Sequence, residues 1–321
     1  MKAIITDYGF PTIDLEIEIL TAAGAEVTSA QCKTPAEVIA ASVGADVLLV
    51  QWAPINAEVI GSLDRCKGIV RYGIGVDNVD LQAAGERGIP VCNIPDYCIE
   101  EVADHSLGLA LGLARQIPQT DQAVRAGTWK ITPPNSFPAF REVTFATAGF
   151  GRIARAVLSR AAAFGFQLAA YDPFVEDAVF AAAKVRRLDH DSIFSEPGIL
   201  SLHLPLSKDT RHWVNRESLG RMRKDAIIIN TARGGLIDTN ALAEALELKV
   251  IAGAGLDVFE TEPLPLDHPM RSAPNVVLTS HTAWFSRGSV PELQRKAAEE
   301  GARALRGEPL RNIVNRAFLK I

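Results

Sequence analysis

A chain of 321 residues exceeds the ~250–300 at which a single hydrophobic core stops growing, so two lobes are expected. With 48% hydrophobic and 22% charged residues it is not a disordered protein, and a net charge of -5 without a cluster of Lys and Arg excludes a broad nucleic-acid footprint. No apolar run approaches the ~18 residues of a membrane span, and Met1 to Asp7 meets an acidic residue too soon for a signal peptide. A soluble, cytoplasmic protein with neither nucleic acid nor membrane as partner is expected.

Short apolar runs alternate with helix-period segments, the pattern of βαβ units and parallel sheets. Ala3 to Thr6, Val47 to Gln51, Gly68 to Arg71 and Val91 to Asn93 read as strands, and Leu15 to Ala23 and Ala36 to Ser42 as helices. The loop Gly73-Ile74-Gly75-Val76-Asp77-Asn78 follows a strand but opens no helix, so it suits backbone N–H groups presented to an anion. Glu101 to Arg115 reads as a helix crossing between lobes, and Thr132 to Pro138 as a loop rich in Pro and Ser. A second series follows: Thr144 to Ala148, Leu168 to Tyr171, Ile199 to His203, Ala226 to Asn230, Ala252 to Leu256 and Val276 to Thr279. Six strands in a row is the count of a dinucleotide-binding sheet. Pro291 to Arg306 reads as an amphipathic helix packing on the first lobe, with Ile313 to Asn315 a short final segment. The expected fold class is α/β, two Rossmann-like doubly wound parallel-sheet lobes with a cleft between them that closes on substrate.

Gly149-Phe150-Gly151-Arg152-Ile153-Ala154 has the form G-x-G-x-x-A between a strand and the helix pattern Arg155 to Phe164. Gly149 makes the tight turn, Gly151 leaves room for a pyrophosphate, and small Ala154 lets helix and strand pack closely. The pyrophosphate is expected on the N-terminus of the helix, where N–H groups and the dipole favour negative charge. Alone the motif is weak. Asp172, which ends the next strand, strengthens it, because a carboxylate there binds ribose hydroxyls and repels a 2′-phosphate. The cofactor is therefore expected to be NAD.

Arg233 follows the strand Ala226 to Asn230, Glu260 and Glu262 follow the next, and His281 follows the last. Ligands of open α/β sheets bind beyond these carboxyl ends. A 2-oxo acid needs a cation for its carboxylate and a proton donor for its oxygen; a guanidinium forks onto the first and an imidazole serves as the second. A carboxylate beside the imidazole orients it, a role open at this point to Glu260 or Glu262. The competing structural readings are a surface Arg, an exposed Glu-Pro turn and a capping or core His. The remaining histidines show no metal-ligand spacing, so no metal is expected, and Cys32, Cys66, Cys92 and Cys98 are expected to be reduced and structural.

With these segments in hand, the chain resembles the D-isomer-specific 2-hydroxyacid dehydrogenases, in the branch that includes the C-terminal binding proteins. The likeness rests on Arg71 to Asp80, Glu100 to His105, G-F-G-R-I-A at Gly149, Asn230 to Gly235, Gly255 to Glu260, and His281-Thr282-Ala283-Trp284. It implies Arg233, Glu262 and His281 as catalytic residues, which selects Glu262 over Glu260. It further implies cofactor contacts at Gly149, Gly151, Arg152, Ile153, Asp172, Thr231 and Asp257, the last near the nicotinamide carboxamide. Substrate contacts are implied at Arg71, Ile74, Gly75 and Trp284. Residues 1–100 plus 288–321 then form the substrate domain and 101–287 the NAD domain, in a homodimer with Glu101 to Thr128 at the interface. Ala154, Glu142 and Lys249 depart from the family pattern in place of Gly, and Ser280 in place of Pro.

The leading expectation is hydride transfer between nicotinamide and C2 of a small 2-hydroxy or 2-oxo acid. An NAD(H)-sensing corepressor-like scaffold with little turnover is the alternative from another class. A phosphoglycerate or glyoxylate/hydroxypyruvate reductase is the alternative among enzymes, although Trp52, Tyr72, Tyr97 and Trp284 suggest an apolar site.

Overall fold

The computed structural model describes residues 1–130 and 137–319. Thr132 to Ser136 of the predicted Pro- and Ser-rich loop lie outside the described residues. The chain divides into two compact units, Met1–Cys98 with Phe285–Ile321, and Ile99–Trp284.

The first unit alternates β1 (Lys2–Ile5), α1 (Asp14–Ala22), β2 (Glu26–Ser29), α2 (Pro35–Ala41), β3 (Val47–Val50), α3 (Ala57–Gly61), β4 (Ile69–Arg71), α4 (Leu81–Glu86) and β5 (Val91–Cys92). All five strands are parallel, in the order β2-β1-β3-β4-β5. Central β3 is buried throughout, whereas edge strand β2 reads Glu-Val-Thr-Ser and is half exposed. Its polar composition is why no strand is predicted there. Short α3 and α4 have little room for periodicity, but Asn56 and Asp80 cap them through Val59 N (3.0 Å) and Ala83 N (2.9 Å). Such caps are the readable signal of a brief helix.

The second unit contains α5 (Ile99–Ala114), α6 (Ile117–Arg125), β6 (Thr144–Ala148), α7 (Arg152–Ala163), β7 (Gln167–Tyr171), α8 (Asp177–Ala182), β8 (Arg186–Arg187), α9 (Ser192–Ser195), β9 (Ile199–Leu202), α10 (Arg216–Arg221), β10 (Ile227–Asn230), α11 (Thr239–Glu247), β11 (Gly253–Leu256) and β12 (Val276–Leu278). Its sheet has seven parallel strands in the order β12-β11-β10-β9-β6-β7-β8. The six expected strands are present, and exposed, two-residue β8 adds a seventh at the edge. The order reverses between β6 and β9, so their carboxyl ends form the switch point at which such sheets bind ligands. Along β10, Ile227 and Ile229 face the core under α5 while Ile228 faces the opposite core. A strand buried on both faces needs a continuous apolar run, which is what the sequence supplies. Each such Ile contributes roughly 2–3 kcal/mol of burial.

The C-terminal helix α12 (Ser289–Arg306) belongs to the first unit, where its buried stripe of Leu293, Ala297, Ala298 and Leu305 packs on α1 and β3. Gly301 allows the close approach, since a Cβ there would lie 3.2 Å from Leu20. Beyond it, Ile313 bridges Cys92, and Asn315 accepts from Val91 N at 2.9 Å and donates to Ile89 O at 2.9 Å, closing the β5 edge. All four cysteines are free thiols, and burial pushes Cys66 up to about 11.

Candidate functional site

At the switch point of the second unit, β6 runs into Gly149, whose φ is +96°. A Cβ there would stand 2.6 Å from the carbonyl oxygen of His203, so the loop lies against the end of β9 and only Gly fits. Gly151 has an ordinary φ of -73° and open space where its Cβ would project. It precedes α7, and no side chain caps that helix, so the N–H groups of Arg152 and Ile153 open the first turn uncapped. Ala154 is fully buried, as close packing requires. Asp172 folds back on the loop, accepting from Phe150 N at 2.9 Å and Phe174 N at 3.0 Å. A hollow of about 440 Å³ beside it is lined by Tyr171, Pro173, Arg187, Leu188, Asp189 and His190. Open space over Gly151, uncapped N–H groups and a carboxylate fixed at the strand end fit a dinucleotide.

Three further groups stand at the ends of β10, β11 and β12. Arg233 is half buried after β10; its carbonyl accepts from Asn230 Nδ2 at 2.8 Å, and Gly234 lies so close to Phe259 that a side chain would collide with the backbone. Glu262 accepts from Phe259 N at 2.9 Å through one oxygen and meets His281 Nδ1 at 2.7 Å through the other. Burial raises the Glu262 carboxyl, but the His281 hydrogen bond and charge, the Phe259 N–H and nearby Arg233 outweigh it and hold the group below its usual range. Glu260 is committed elsewhere, to His212 Nε2 at 2.6 Å and Thr239 N at 3.1 Å. The geometry therefore separates two acids that spacing alone leaves equivalent.

His281 has φ +56°, a left-handed conformation uncommon for a side chain other than Gly. Its N–H donates to Asp257 O at 2.8 Å, and its carbonyl accepts from Trp284 Nε1 at 2.9 Å. Asp257 is buried. It accepts from Thr279 Oγ1 at 2.6 Å, Thr282 N at 2.9 Å and Ala283 N at 2.9 Å. The Asp257 carboxylate thereby holds the loop that carries His281. Thr231 is nearly buried and shares a hydrogen bond with Ser106 of α5 at 2.7 Å.

Two histidines escaped the sequence reading. His203, beside the loop at the switch point, bonds Ser201 Oγ at 2.9 Å, and burial pushes it down to about 3. His105 on α5 lies 3.0 Å from Thr279 Oγ1. Position at the end of β9 was a signal for the first; the second closes the Glu100 to His105 motif, which carried the resemblance but gave it no role.

In the first unit, Arg71 ends β4 and its guanidinium folds over Gly73, whose φ of +135° and missing side chain permit this. Asn93 Nδ2 pins Ile74 O at 2.7 Å. Among the described residues nothing accepts from the N–H groups of Ile74 and Gly75, so both are available to an anion. Tyr72 corrects the expectation that it lines an apolar site: it is 1% exposed and packs edge-on against Phe10 at 5.3 Å. Trp52 remains 54% exposed.

A doubly wound parallel sheet with a Gly-x-Gly turn at its switch point and an imidazole–carboxylate pair at its strand ends defines a dinucleotide-binding α/β protein equipped for proton transfer. Comparison with known proteins narrows the class. A family model described as D-isomer specific 2-hydroxyacid dehydrogenase, NAD binding domain, matches residues 107–283. The chain is 38% identical, over 98% of its length, to a D-3-phosphoglycerate dehydrogenase of Methanocaldococcus jannaschii, but spans only 59% of that protein. It is 36% identical to a glyoxylate reductase of Korarchaeum cryptofilum, covering 84% of this chain and 82% of the relative. The structure of a glyoxylate reductase from Paecilomyes thermophila superposes with a TM-score of 0.88 at 26% identity, covering 98% of each chain. The chain belongs to the D-isomer specific 2-hydroxyacid dehydrogenase family, and its second unit contains the family's NAD-binding domain.

Proposed function

We propose that this chain is an NAD-dependent dehydrogenase acting at C2 of a small D-2-hydroxy acid or its 2-oxo counterpart. The 2.7 Å hydrogen bond between His281 Nδ1 and Glu262 Oε2 carries this reading. An ionised Glu262 can only accept, so Nδ1 carries the proton and Nε2 is the atom left to exchange one with substrate. In reduction, doubly protonated His281 gives its Nε2 proton to the carbonyl oxygen; in oxidation, neutral Nε2 takes the hydroxyl proton. Glu262 stabilises the imidazolium in both directions. Arg233 binds the carboxylate and polarises the carbonyl. Arg71 and the N–H groups of Ile74 and Gly75 are proposed as further carboxylate contacts.

NAD, when bound, supplies or accepts the hydride. We assign its pyrophosphate to Gly149, Gly151, Arg152 and Ile153, and its ribose hydroxyls to Asp172, whose charge disfavours NADP. Buried Thr231 helps shape the same strand-end surface. Trp284 supports the likeness to the C-terminal binding proteins and with it an apolar group on the acid. A homodimer is supported by α6, which buries no residue, and by exposed Ile117, Val124 and Trp129.

The test is NADH oxidation with glyoxylate, hydroxypyruvate, phosphohydroxypyruvate, pyruvate, phenylpyruvate and 4-methylthio-2-oxobutyrate, with light scattering on the same sample for two chains per particle. We expect turnover with an unphosphorylated acid and a loss of roughly 10²–10⁴-fold in His281→Ala. NADH binding without turnover of any acid refutes the enzyme and favours the NAD(H)-sensing scaffold.

A further inference from the structure

We infer that His105 is a positioning residue for His281, acting through Thr279 and Asp257; the inference rests on the proton-transfer role proposed for His281. A side chain other than Gly in a left-handed conformation is strained and persists only where its surroundings over-determine it. At His281 those surroundings converge on Asp257, whose carbonyl takes the His281 N–H and whose carboxylate takes Thr279, Thr282 and Ala283. A carboxylate so placed accepts from every partner. The single hydroxyl proton of Thr279 therefore goes to Asp257 Oδ1, at 2.6 Å.

Thr279 Oγ1 is left with only lone pairs for its other neighbour, His105 Nε2 at 3.0 Å. The bond thus requires a proton on Nε2, and His105 is the donor at the head of a directed chain from Nε2–H to Thr279 Oγ1–H to Asp257. Its nitrogen also lies 3.7 Å from Asp257 Oδ1. His105 sits on α5, a helix packed against β10 and β11, so the chain ties the loop after β12 to the helical layer of the second unit. Without it, the Thr279 hydroxyl is free to turn, Asp257 loses a directed partner, and the His281 ring drifts from its bond with Glu262. Such a drift slows proton transfer without weakening substrate binding.

The experiment uses the full chain with NADH and the acid that turns over fastest in the screen above. His105→Ala and Thr279→Val are expected to lower kcat about tenfold, leaving KM for the acid and Kd for NADH within twofold. His105→Gln, which returns an N–H near the position of Nε2, and Thr279→Ser, which keeps the hydroxyl, are expected to recover most of that loss. Unchanged kcat in His105→Ala overturns the inference. So does a loss that neither conservative variant relieves, or one that falls on the Kd for NADH instead. His281→Ala runs alongside: if it turns over normally, the reading of the site itself has failed, whereas an inactive His281→Ala beside a normal His105→Ala refutes the positioning role alone.

Discussion

Two glycines of one loop are expected to respond to the same substitution in opposite ways. Gly149→Ala places a methyl group 2.6 Å from the His203 carbonyl oxygen, at a φ of +96°. The backbone conformation costs about 1–2 kcal/mol and the overlap about 1–3 kcal/mol, so folding should lose about 2–5 kcal/mol. Gly151→Ala meets open space at a φ of -73° and should fold within about 1 kcal/mol of the parent. Its methyl group, however, occupies the space assigned to the pyrophosphate, so NADH binding should weaken at least about tenfold, or 1.4 kcal/mol. Urea denaturation followed by circular dichroism reads the first effect, and tryptophan quenching by NADH reads the second. Parental stability in Gly149→Ala would show that the loop does not press on β9. An unchanged Kd for NADH in Gly151→Ala would remove the cofactor from this turn and refute the assignment.

Glu262→Gln should lower kcat and also register in acid stability. The Glu262 carboxyl is depressed in the folded protein, so its contribution is full above the unfolded value near ~4.3 and disappears as pH falls through the depressed folded value. The urea midpoint of the parent should therefore exceed that of Glu262→Gln at pH 7, with the gap closing below about pH 4; a gap that widens in acid would contradict the ion pair. Lys249→Gly should stabilise the protein without touching activity. Lys249, the second residue beyond α11, has φ +55°, and the following amide, Val250 N, closes on Ala245 O at 2.8 Å, a helix stop that favours Gly. Among the described residues exposed Lys249 makes no ion pair, so a gain of about 0.5–1 kcal/mol is expected from the Tm or urea midpoint, and a fall in either would show that the terminus needs the Lys.

The sequence by itself determined the elements that are buried on both faces and the turns that chemistry constrains. Ile227 to Asn230 could hardly be other than an interior strand, and Gly149 to Ala154 announced a Gly-x-Gly turn between a strand and a helix. Arg233 and His281 were legible because each stands three residues beyond an apolar strand, buried β10 and partly buried β12, where a polar residue marks a carboxyl end. Edge strands β2 and β8 were illegible because half-exposed strands need no apolar run. Residue spacing left Glu260 and Glu262 equivalent and gave no sign that the Asp257 carboxylate is buried beneath the His281 loop. It also offered nothing to join His105 to Thr279, 174 residues away. The family resemblance chose Glu262, but the other two matters depend on which donor meets which acceptor across separate strands, a result of how the parallel sheet stacks its strand ends, and only the tertiary structure decided them.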